Sequence, residues 1–511
     1  MGRFDFVIKN ANIITMDGDL SRKRWLAVEG DKVAALGDGE SPGEAAEIID
    51  VGGKTVLPGL TDSHAHATMT GIGMRGLDFT GYTTVADVLD KLREYCGKLD
   101  DDRQPVFALN LPAAEMLKDN RVPTRAELDE VTGEHPTMLV LWTVHGGVLN
   151  SAAIPLAKLG PGMEYVEKDG YFNDDKTSFH VIGNLFGVMS SEEYKQIYLE
   201  IAEVCASRGI TTLHALDGMM VKDDKDTEAL KDILDDLPIE LVPYTQTFDY
   251  EKIYGYGFKQ IGGCLSIDGS PGQFTAAYSV PYPALPGTRG FLTYTDAELY
   301  GFVTEASKRG MQCAFHAIGD RAVDQIIYIY QQVDREIGIR HLRHRIEHFS
   351  LPTERHMEMA AEMDIIASSQ PAIGNMLDNK GGCVFANWSP PEAAPNHEKT
   401  RRLIEAGITV LGGSDSPVTP MDSLFGLDAC INAYNPDRRM SLDDALRIYI
   451  VNPAYAEHKE DVKGSLESGK QADLVIIDKD PYQETGLIDR SAITVEATYK
   501  KGKCVYTNVK Q

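Results

Sequence analysis

Both ends of the chain consist of short apolar or alternating runs that are separated by Gly and Asp. At the N-terminal end these runs include FDFVIKNANIITMDGD and RWLAVEGDKVAALGDG, and at the C-terminal end GKQADLVIIDKD and ITVEATYKKGKCVY. Such runs predict short β-strands joined by tight turns. We expect residues 1–56 and 465–511 to form one small β-sandwich domain, because either segment alone is too short to bury a core.

The middle of the chain, residues 57–464, has a different pattern. β-rich apolar runs alternate with amphipathic stretches of helical period, such as 192–209 and 296–310. The candidate strands lie near 55–62, 211–215, 240–245, 262–268, 312–316, 344–348, 364–369 and 408–413. This alternation is typical of parallel βα units, and it predicts an α/β protein with a (β/α)₈ TIM-like barrel.

One connection in this barrel is too long to be a simple βα link. It follows the first strand and spans about residues 80–195. It contains strand-like runs of its own, PVFALNL and TMLVLWTV. We therefore expect an inserted subdomain after the first barrel strand, placed over the barrel mouth.

Composition narrows the classes of partner. The 511 residues carry a formal net charge of −27, which would repel phosphate groups and argues against a nucleic-acid partner. No apolar run reaches the ~18 residues of a membrane span. Seven cysteines spread along a chain of this size do not form a disulfide framework. We expect a cytoplasmic enzyme with a small-molecule substrate, as a homodimer, without nucleic-acid or membrane partners.

The strongest local motif is LPGLTDSHAH, at the end of the first barrel strand. Residues two apart in a strand point to the same face, so His64 and His66 are expected to project together. At the carboxyl end of a barrel strand that face is the active site. Two convergent imidazoles suit Zn²⁺ or a similar metal. Two exposed loop histidines would be the alternative if the motif stood alone.

Later strands end in further candidate ligands. His316 ends the fifth strand, His348 ends the sixth, and Asp415 follows the eighth. Together with the first strand, this order predicts a metal site at the barrel mouth. A metal-activated water that attacks a carbonyl needs a carboxylate to take its proton and pass it to the leaving amine. Asp415 is the predicted proton shuttle.

These motifs are part of a resemblance that covers almost the whole chain. It includes LPGLTDSHAH, GITTLHA, IDGSPGQFTAA, HAIGDRAVD, RIEHF, GSDSPVTP and the C-terminal GKQADLVIID. The chain resembles the amidohydrolase superfamily, and within it the branch of N-substituted formamide deformylase (metal-dependent amidohydrolase family 3). The resemblance implies a metal-dependent hydrolase of amide or other non-peptide C–N bonds.

Position by position, the resemblance implies a divalent-metal site of one or two ions. It makes ligands of His64, His66, His316 and His348, and both ligand and proton shuttle of Asp415. Zinc is the first candidate, while Mn, Fe or Ni also bind such ligand sets.

One position departs from the family. Its fourth strand usually carries a lysine, a candidate carboxylated bridge between two metals, where this chain has Cys264 in CLSIDGS. Strand alternation would place Cys264, Ser266 and Asp268 on one face. Cys264 is then either a thiolate metal ligand or a small buried apolar residue, and in the second case the site holds one metal.

Other candidates are less specific. His145 could polarise a substrate carbonyl or be a structural loop histidine, and Trp142, Phe385 and Trp388 could line an apolar substrate pocket or merely pack loops. Glu347 has the opposite strand parity to His348, so we expect it to face the helices.

Three functions remain open at this stage. The first is hydrolysis of a non-peptide amide or formamide. The second is deamination, although deaminases of this superfamily place a glutamate soon after the fifth-strand histidine, where this chain reads HAIGD. The third is a catalytically silent regulatory or binding protein on the same scaffold, an alternative that the Cys264 substitution keeps open. No pattern identifies the substrate.

Overall fold

Strands and helices alternate along the computed structural model, which describes residues 4–101, 103–218, 221, 224–377, 389–390, 400–482 and 492–508. The strands are β1 Phe4–Lys9, β2 Asn12–Ile14, β3 Arg22–Lys23, β4 Trp25–Glu29, β5 Lys32–Gly37, β6 Ala45–Asp50, β7 Thr55–Pro58, β8 Leu60–Ala65, β9 Leu77–Asp78, β10 Val106–Leu111, β11 Thr137–Leu141, β12 Gly147–Leu149, β13 Tyr171–Phe172, β14 Ile210–Ala215, β15 Glu240–Pro243, β16 Gln260–Ile261, β17 Gln312–Ala317, β18 Arg345–His348, β19 Ile366–Ser369, β20 Val410–Gly412, β21 Leu474–Ile477, β22 Val495–Lys500 and β23 Lys503–Thr507.

The helices complete an α/β protein. They are α1 Ala67–Arg75, α2 Val85–Cys96, α3 Arg125–Thr132, α4 Ile154–Ala157, α5 Glu164–Asp169, α6 Asp175–Phe186, α7 Ser191–Ser207, α8 Lys225–Ile233, α9 Tyr250–Gly255, α10 Asp296–Lys308, α11 Asp320–Ile337, α12 Glu354–Glu362, α13 Pro371–Leu377, α14 Thr400–Glu405, α15 Ser423–Ile431, α16 Leu442–Tyr449 and α17 Val451–Ala456. Within the described part of the chain, none of them has the length and apolar character that crossing a membrane requires.

Helix α7 shows how local sequence sets a helix start. Ser190 accepts a hydrogen bond from the backbone N–H of Glu193, and the Glu193 carboxylate accepts one from the N–H of Ser190. Thr295 and Glu298 form the same capping box at the start of α10. These contacts satisfy N–H groups that have no partner inside the helix. The two helical stretches predicted near 192–209 and 296–310 are present, and each begins at such a capping box.

Two sheets are built from the ends of the chain. One has the order β5-β4-β1-β6 and the other β23-β22-β21-β7-β2-β3, so strands from both termini meet within one sheet. They meet where β21 pairs antiparallel with β7, with Val475 opposite Leu57. One buried apolar cluster combines side chains from both ends, among them Ile8, Leu26 and Leu474. The core of this region therefore uses both ends of the chain.

The parallel strands of the middle region form two ladders. One has the order β15-β14-β8 and the other β16-β17-β18-β19-β20. Isolated parallel bridges, Thr245 with Ile261 and Ala65 with Ser416, lie where the two ladders approach each other. The result is a TIM-barrel-like α/β fold with as many parallel strands as the sequence predicts.

The first predicted strand, 55–62, is in fact two strands. β7 belongs to the terminal six-stranded sheet, while β8 belongs to a parallel ladder. Gly59 separates them, and a Cβ atom at this position would lie 2.1 Å from Oγ1 of Thr211. This close approach requires a glycine at the point where the chain changes sheets. The prediction of one continuous strand is wrong because apolar alternation does not reveal a change of partner.

The fourth predicted strand, 262–268, is also corrected. The strand β16 ends at Ile261, and the chain then passes through Gly262 and Gly263, whose φ angles are +92° and +53°. Such positive φ angles interrupt a ladder and favour glycine. Cys264 therefore lies on an irregular segment beyond the strand, and the alternation rule from which its direction was predicted does not apply there.

A separate sheet lies between β8 and β14, within the long connection that the sequence predicts to be an insertion. Its order is β13-β12-β11-β10-β9. It has its own buried apolar cluster, which includes Phe79, Leu92 and Leu139. The loop between β11 and β12 carries Trp142 and His145, and both line a cavity at the carboxyl ends of the parallel strands.

Candidate metal centre

The two histidines of the HxH motif are oriented by hydrogen bonds at Nδ1. His64 Nδ1 lies 2.7 Å from Oε2 of Glu347, and His66 Nδ1 lies 2.8 Å from the backbone oxygen of Leu216. A carboxylate and a carbonyl only accept hydrogen bonds, so each ring carries its proton on Nδ1. Nε2 is then the atom of each ring that is placed to bind a metal ion, in exchange for any proton that it carries. Both Nε2 atoms face Oδ1 of Asp415, at 3.3 Å from His64 and 3.2 Å from His66.

His348 has the same arrangement. Its Nδ1 lies 2.8 Å from Oε1 of Gln370, and its Nε2 lies 3.6 Å from Sγ of Cys264. The fourth histidine, His316, places Nδ1 3.5 Å from Oδ1 of Asp268, and its ring centroid is 4.6 Å from that of His348. All four predicted histidines are therefore brought together with Asp415 and Cys264.

The ligand atoms fall into two overlapping groups. His64, Cys264 and His348 form one, and His64, His66 and Asp415 form the other, with the ligand atoms of each group within 4.8 Å of one another. All of these residues are buried. Imidazole, thiolate and carboxylate donors at this spacing suit a transition metal such as zinc. The residues present therefore fit a divalent metal ion.

Asp62 and Gly413 hold the first and last parallel strands together. Oδ1 of Asp62 accepts hydrogen bonds from the backbone N–H groups of His64, at 3.2 Å, and Ser414, at 2.9 Å. A Cβ atom at Gly413 would lie 2.5 Å from Cβ of His64. The absence of a side chain there is what allows Asp415 to approach the two histidines.

The electrostatic environment favours positive charge at the centre. Burial lowers the pKa of His66, but its hydrogen bonds with Asp415 and Cys264 outweigh this effect and raise that pKa to about 10. Burial raises the pKa of the Cys264 thiol, but hydrogen bonds from His348 and His64 hold it well below its usual value. The buried carboxylate of Asp415 and the thiol of Cys264 thus favour positive charge at this centre.

Glu347 does not face the helices, and this prediction is wrong. Its carboxylate is fully buried and bonds to His64. The parity rule fails because His348 has a φ angle of +66° and leaves the regular strand geometry. Glu347 keeps the inward direction of its strand, while the change at His348 turns the next side chain toward the same centre.

A cavity of about 100 Å³ opens beside these residues. Among the residues that the structure describes, those that line this cavity include His145, Trp142, Phe179, Ile318, Ile373 and Val418. The His145 ring centroid is 6.2 Å from that of His316, so this candidate lies next to the ligand cluster. Phe385 and Trp388, which were also predicted to line the pocket, lie outside the described residues.

Several residues of the site have no signal in the sequence. Phe179 and Ile373 come from helices α6 and α13, and Gln370 follows β19. Each is separated by many residues from its partners in the site. A motif within one segment could not have identified them, because only the fold brings these segments together.

A family model described as an amidohydrolase family matches residues 47–506. The chain belongs to the amidohydrolase family. The match confirms the resemblance seen in the motifs. The geometry of the candidate metal ligands is an independent observation that agrees with this family. As an amidohydrolase, the protein is an enzyme that acts on carbon–nitrogen bonds other than peptide bonds.

Individual relatives cover nearly the whole amidohydrolase chain. The chain is 27% identical to N-substituted formamide deformylase from Arthrobacter pascens, over 93% of this chain and 94% of the relative. It is 25% identical to Protein LONG AFTER FAR-RED 3 from Arabidopsis thaliana, over 98% of this chain and 91% of the relative. An uncharacterized metal-dependent hydrolase from Pyrococcus horikoshii OT3 matches with a TM-score of 0.77 at 24% identity, covering 94% of this chain and 99% of that one. This last likeness shows the fold.

Proposed function

We propose that this enzyme hydrolyses a non-peptide amide or formamide bond of a small uncharged molecule. The observation that carries the proposal is the common orientation of the buried histidines. His64, His66 and His348 each bond an oxygen acceptor through Nδ1 and leave Nε2 for a metal. The name of the relative from Arthrobacter pascens supports the amide or formamide class of substrate.

The proposed ligands of a divalent ion are His64, His66, Cys264, His316, His348 and Asp415. Such an ion, when bound, supplies an activated water molecule and polarises the substrate carbonyl. Zinc is the first candidate because it binds imidazole and thiolate readily. The two overlapping ligand groups are compatible with one ion or with a close pair. Mn, Fe and Ni are the other candidates.

We assign proton transfer to Asp415. Burial raises its carboxyl pKa, but the charge of His64 and hydrogen bonds from His64 and His66 hold that pKa well below its usual value. A carboxylate in its ionised form is a group that can accept a proton. The same oxygen faces both HxH imidazoles, and Asp415 also lines the cavity that would receive the substrate.

His145 and Trp142 are the proposed substrate contacts. His145 lines the cavity with its ring centroid 6.2 Å from that of His316, where it can donate a hydrogen bond to a substrate carbonyl oxygen. Among the lining residues that the structure describes, none is Lys, Arg or Glu, and Asp415 belongs to the ligand cluster. An apolar wall without a counter-charge favours an uncharged substrate.

We also propose the domain division and the cellular setting predicted from the sequence. Residues 1–56 and 465–511 form one β-sandwich, supported by the apolar cluster that both ends share. The barrel takes 57–464, with the insertion at about 80–195. A cytoplasmic location is supported by the free state of Cys96, Cys205 and the other described cysteines. The homodimer stays a prediction.

The test is a metal analysis combined with a substrate panel. Purified protein is assayed for bound Zn, Mn, Fe and Ni, and then supplied with N-substituted formamides, simple amides and amino-substituted heterocycles. We expect stoichiometric metal and release of formate or another carboxylate. Release of ammonia from the heterocycles would indicate a deaminase instead. Full metal occupancy without turnover across the panel would favour the silent binding protein.

A further inference from the structure

We propose that Glu347 is a positioning residue for His64, and that a buried chain of alternating charges anchors it from the opposite end of the barrel. The inference rests on the proposed metal site. It concerns residues that the sequence patterns do not connect, since Glu347 and His64 are 283 residues apart. The chain continues through Arg345 and His214 to Glu457.

The first link orients the ligand. Oε2 of Glu347 lies 2.7 Å from Nδ1 of His64, and both side chains are fully buried. No solvent competes for this hydrogen bond. A carboxylate that accepts the Nδ1 proton fixes the tautomer of the imidazole, orients the ring and makes Nε2 a better metal ligand. Any rotation of Glu347 would therefore change the donor that His64 presents.

The second link holds Glu347 in place. Arg345 donates from Nε to Oε1 of Glu347 at 2.7 Å and from Nη2 to Oε2 at 2.8 Å, a two-pronged contact of fixed geometry. Nη2 also donates to the backbone oxygen of Ser63 at 2.8 Å, so the same guanidinium contacts the strand that carries His64. The guanidinium carbon lies 4.2 Å from the centre of the Tyr244 ring.

The third link carries the chain to the barrel base. Nη1 of Arg345 lies 2.8 Å from Nδ1 of His214, which must accept this hydrogen bond because a guanidinium only donates. The remaining His214 proton is then on Nε2, which lies 3.1 Å from Oε1 of Glu457. Glu457 in turn pairs with Lys463 at 2.8 Å. The chain therefore runs from the carboxylate of Glu347 through the guanidinium of Arg345 to the neutral imidazole of His214. From there it continues to the carboxylate of Glu457 and the ammonium group of Lys463.

The far end of this chain lies at a second cavity, at the amino-terminal ends of the parallel strands. Glu457 and Glu240 line this space of about 1120 Å³. Only the imidazole of His214 separates Glu457 from Arg345. A change of charge at Glu457 would therefore act on Arg345 through that ring. The geometry therefore predicts that the base of the barrel influences the metal affinity of its mouth.

Substitution of Glu347 by Gln tests the first two links. Both oxygens of Glu347 accept from Arg345, so the amide nitrogen of a glutamine would meet a guanidinium N–H in either orientation. The side chain must then move away from His64. Glu347→Asp retains the charge but is shorter, which provides a second variant if the glutamine fails to fold.

The control is Glu200→Gln. Glu200 receives the same two-pronged contact from Arg75, at 2.8 Å for both bonds, but lies on helix α7 outside the metal centre. Each full-length variant is stripped of metal and its Zn²⁺ dissociation constant is measured against a competing chelator. Thermal unfolding of the stripped proteins is recorded in parallel, which separates a loss of stability from a loss of metal affinity.

We expect Glu347→Gln to weaken Zn²⁺ binding by about 10- to 100-fold, with Glu347→Asp between it and the wild type. Glu457→Gln should weaken it by about 3-fold, through the chain. Glu200→Gln should bind Zn²⁺ as the wild type does.

Three results would contradict these expectations. Unchanged Zn²⁺ affinity in both Glu347 variants, with or without a lower melting temperature, would overturn the positioning role. Weakened binding in Glu347→Gln with wild-type binding in Glu457→Gln would overturn the anchoring from the base. A wild-type protein that binds no divalent metal would instead overturn the proposed function itself.

Discussion

The mouth and the base of the barrel both bury several charged groups, but they satisfy them differently. At the base, Glu240 receives Lys459, Lys463 at 2.9 Å and Lys500 at 3.0 Å, and Lys500 also contacts Asp473 at 2.7 Å. Each of these charges faces an opposite charge on another side chain. Its cations and carboxylates are already paired, and Glu457 links it to Arg345 through His214.

At the mouth, hydrogen bonds hold the candidate ligand residues from outside, and the potential ligand atoms of these residues point toward a common centre. Nδ1 of His64, His66 and His348 is bonded outward, while Nε2 faces the carboxylate or thiolate of the cluster. The two regions show how a binding site differs from a structural ion-pair network. In a binding site several potential ligand atoms converge on one point. In a structural network each cation already has a carboxylate partner. The comparison predicts that changes at the mouth mainly alter metal binding and turnover, while changes at the base mainly alter stability and change metal affinity only a few-fold.

The largest expected effect is at the mouth. Asp415→Asn keeps the size of the side chain but cannot accept a proton, so turnover should fall by about 10²- to 10⁴-fold. The kcat of metal-loaded protein is the measurement, with metal content determined on the same sample. Asp90→Asn, at an exposed pair with Arg93, is the control. Near wild-type turnover of a fully loaded Asp415→Asn enzyme would remove Asp415 from proton transfer.

At the base, Glu240→Gln should reduce the free energy of unfolding by about 1–3 kcal/mol, because the buried ammonium groups of Lys463 and Lys500 each lose one of the two carboxylates that they contact. Denaturant unfolding measures this loss. Glu94→Gln, in an exposed pair with Lys98, should leave that free energy unchanged. The metal affinity of Glu240→Gln should change far less than its stability. If affinity fell as much as in a ligand variant, the distinction between mouth and base would fail.

The base also predicts a dependence of stability on pH. Burial raises the carboxyl pKa of Glu457, but Lys463 and the hydrogen bond to His214 outweigh it and lower that pKa to about 2, from 4.5 when unfolded. A lowered folded-state pKa gives stability that is present above the unfolded value and is lost as pH falls toward the folded one. The unfolding free energy should therefore decrease between pH 4.5 and 2, and less steeply in Glu457→Gln. Parallel curves would contradict the assignment.

The smallest of these effects concerns Cys264. Cys264→Ser should lower metal affinity by about 10-fold or more, and activity with it, because a serine hydroxyl does not supply a thiolate. Cys313→Ser is the matched control, since Cys313 is equally buried but lies in the apolar core. It should keep its metal. A Cys264→Ser protein with full metal content and full rate would make Cys264 a buried apolar residue only.

Local sequence patterns predict the order of elements and most of the candidate ligands. His64 and His66 follow from strand periodicity, and His316, His348 and Asp415 follow from the rule that parallel strands end at one mouth. The first rule acts over a few residues, and the second needs only the alternation of strands and helices, which local patterns predict. The alternation of strands and helices, and the strand-rich ends of the chain, have the same local origin.

The side chains that support those candidate ligands are set by packing between distant segments of the chain. The direction of Glu347 was mispredicted because a positive φ angle at His348 breaks the alternation, and Cys264 lies beyond a turn of two glycines. The contacts from Gln370 to His348 and from Arg345 to His214 join separate segments of the chain. A hydrogen bond between distant segments depends on how whole elements pack. No pattern within a single segment encodes it.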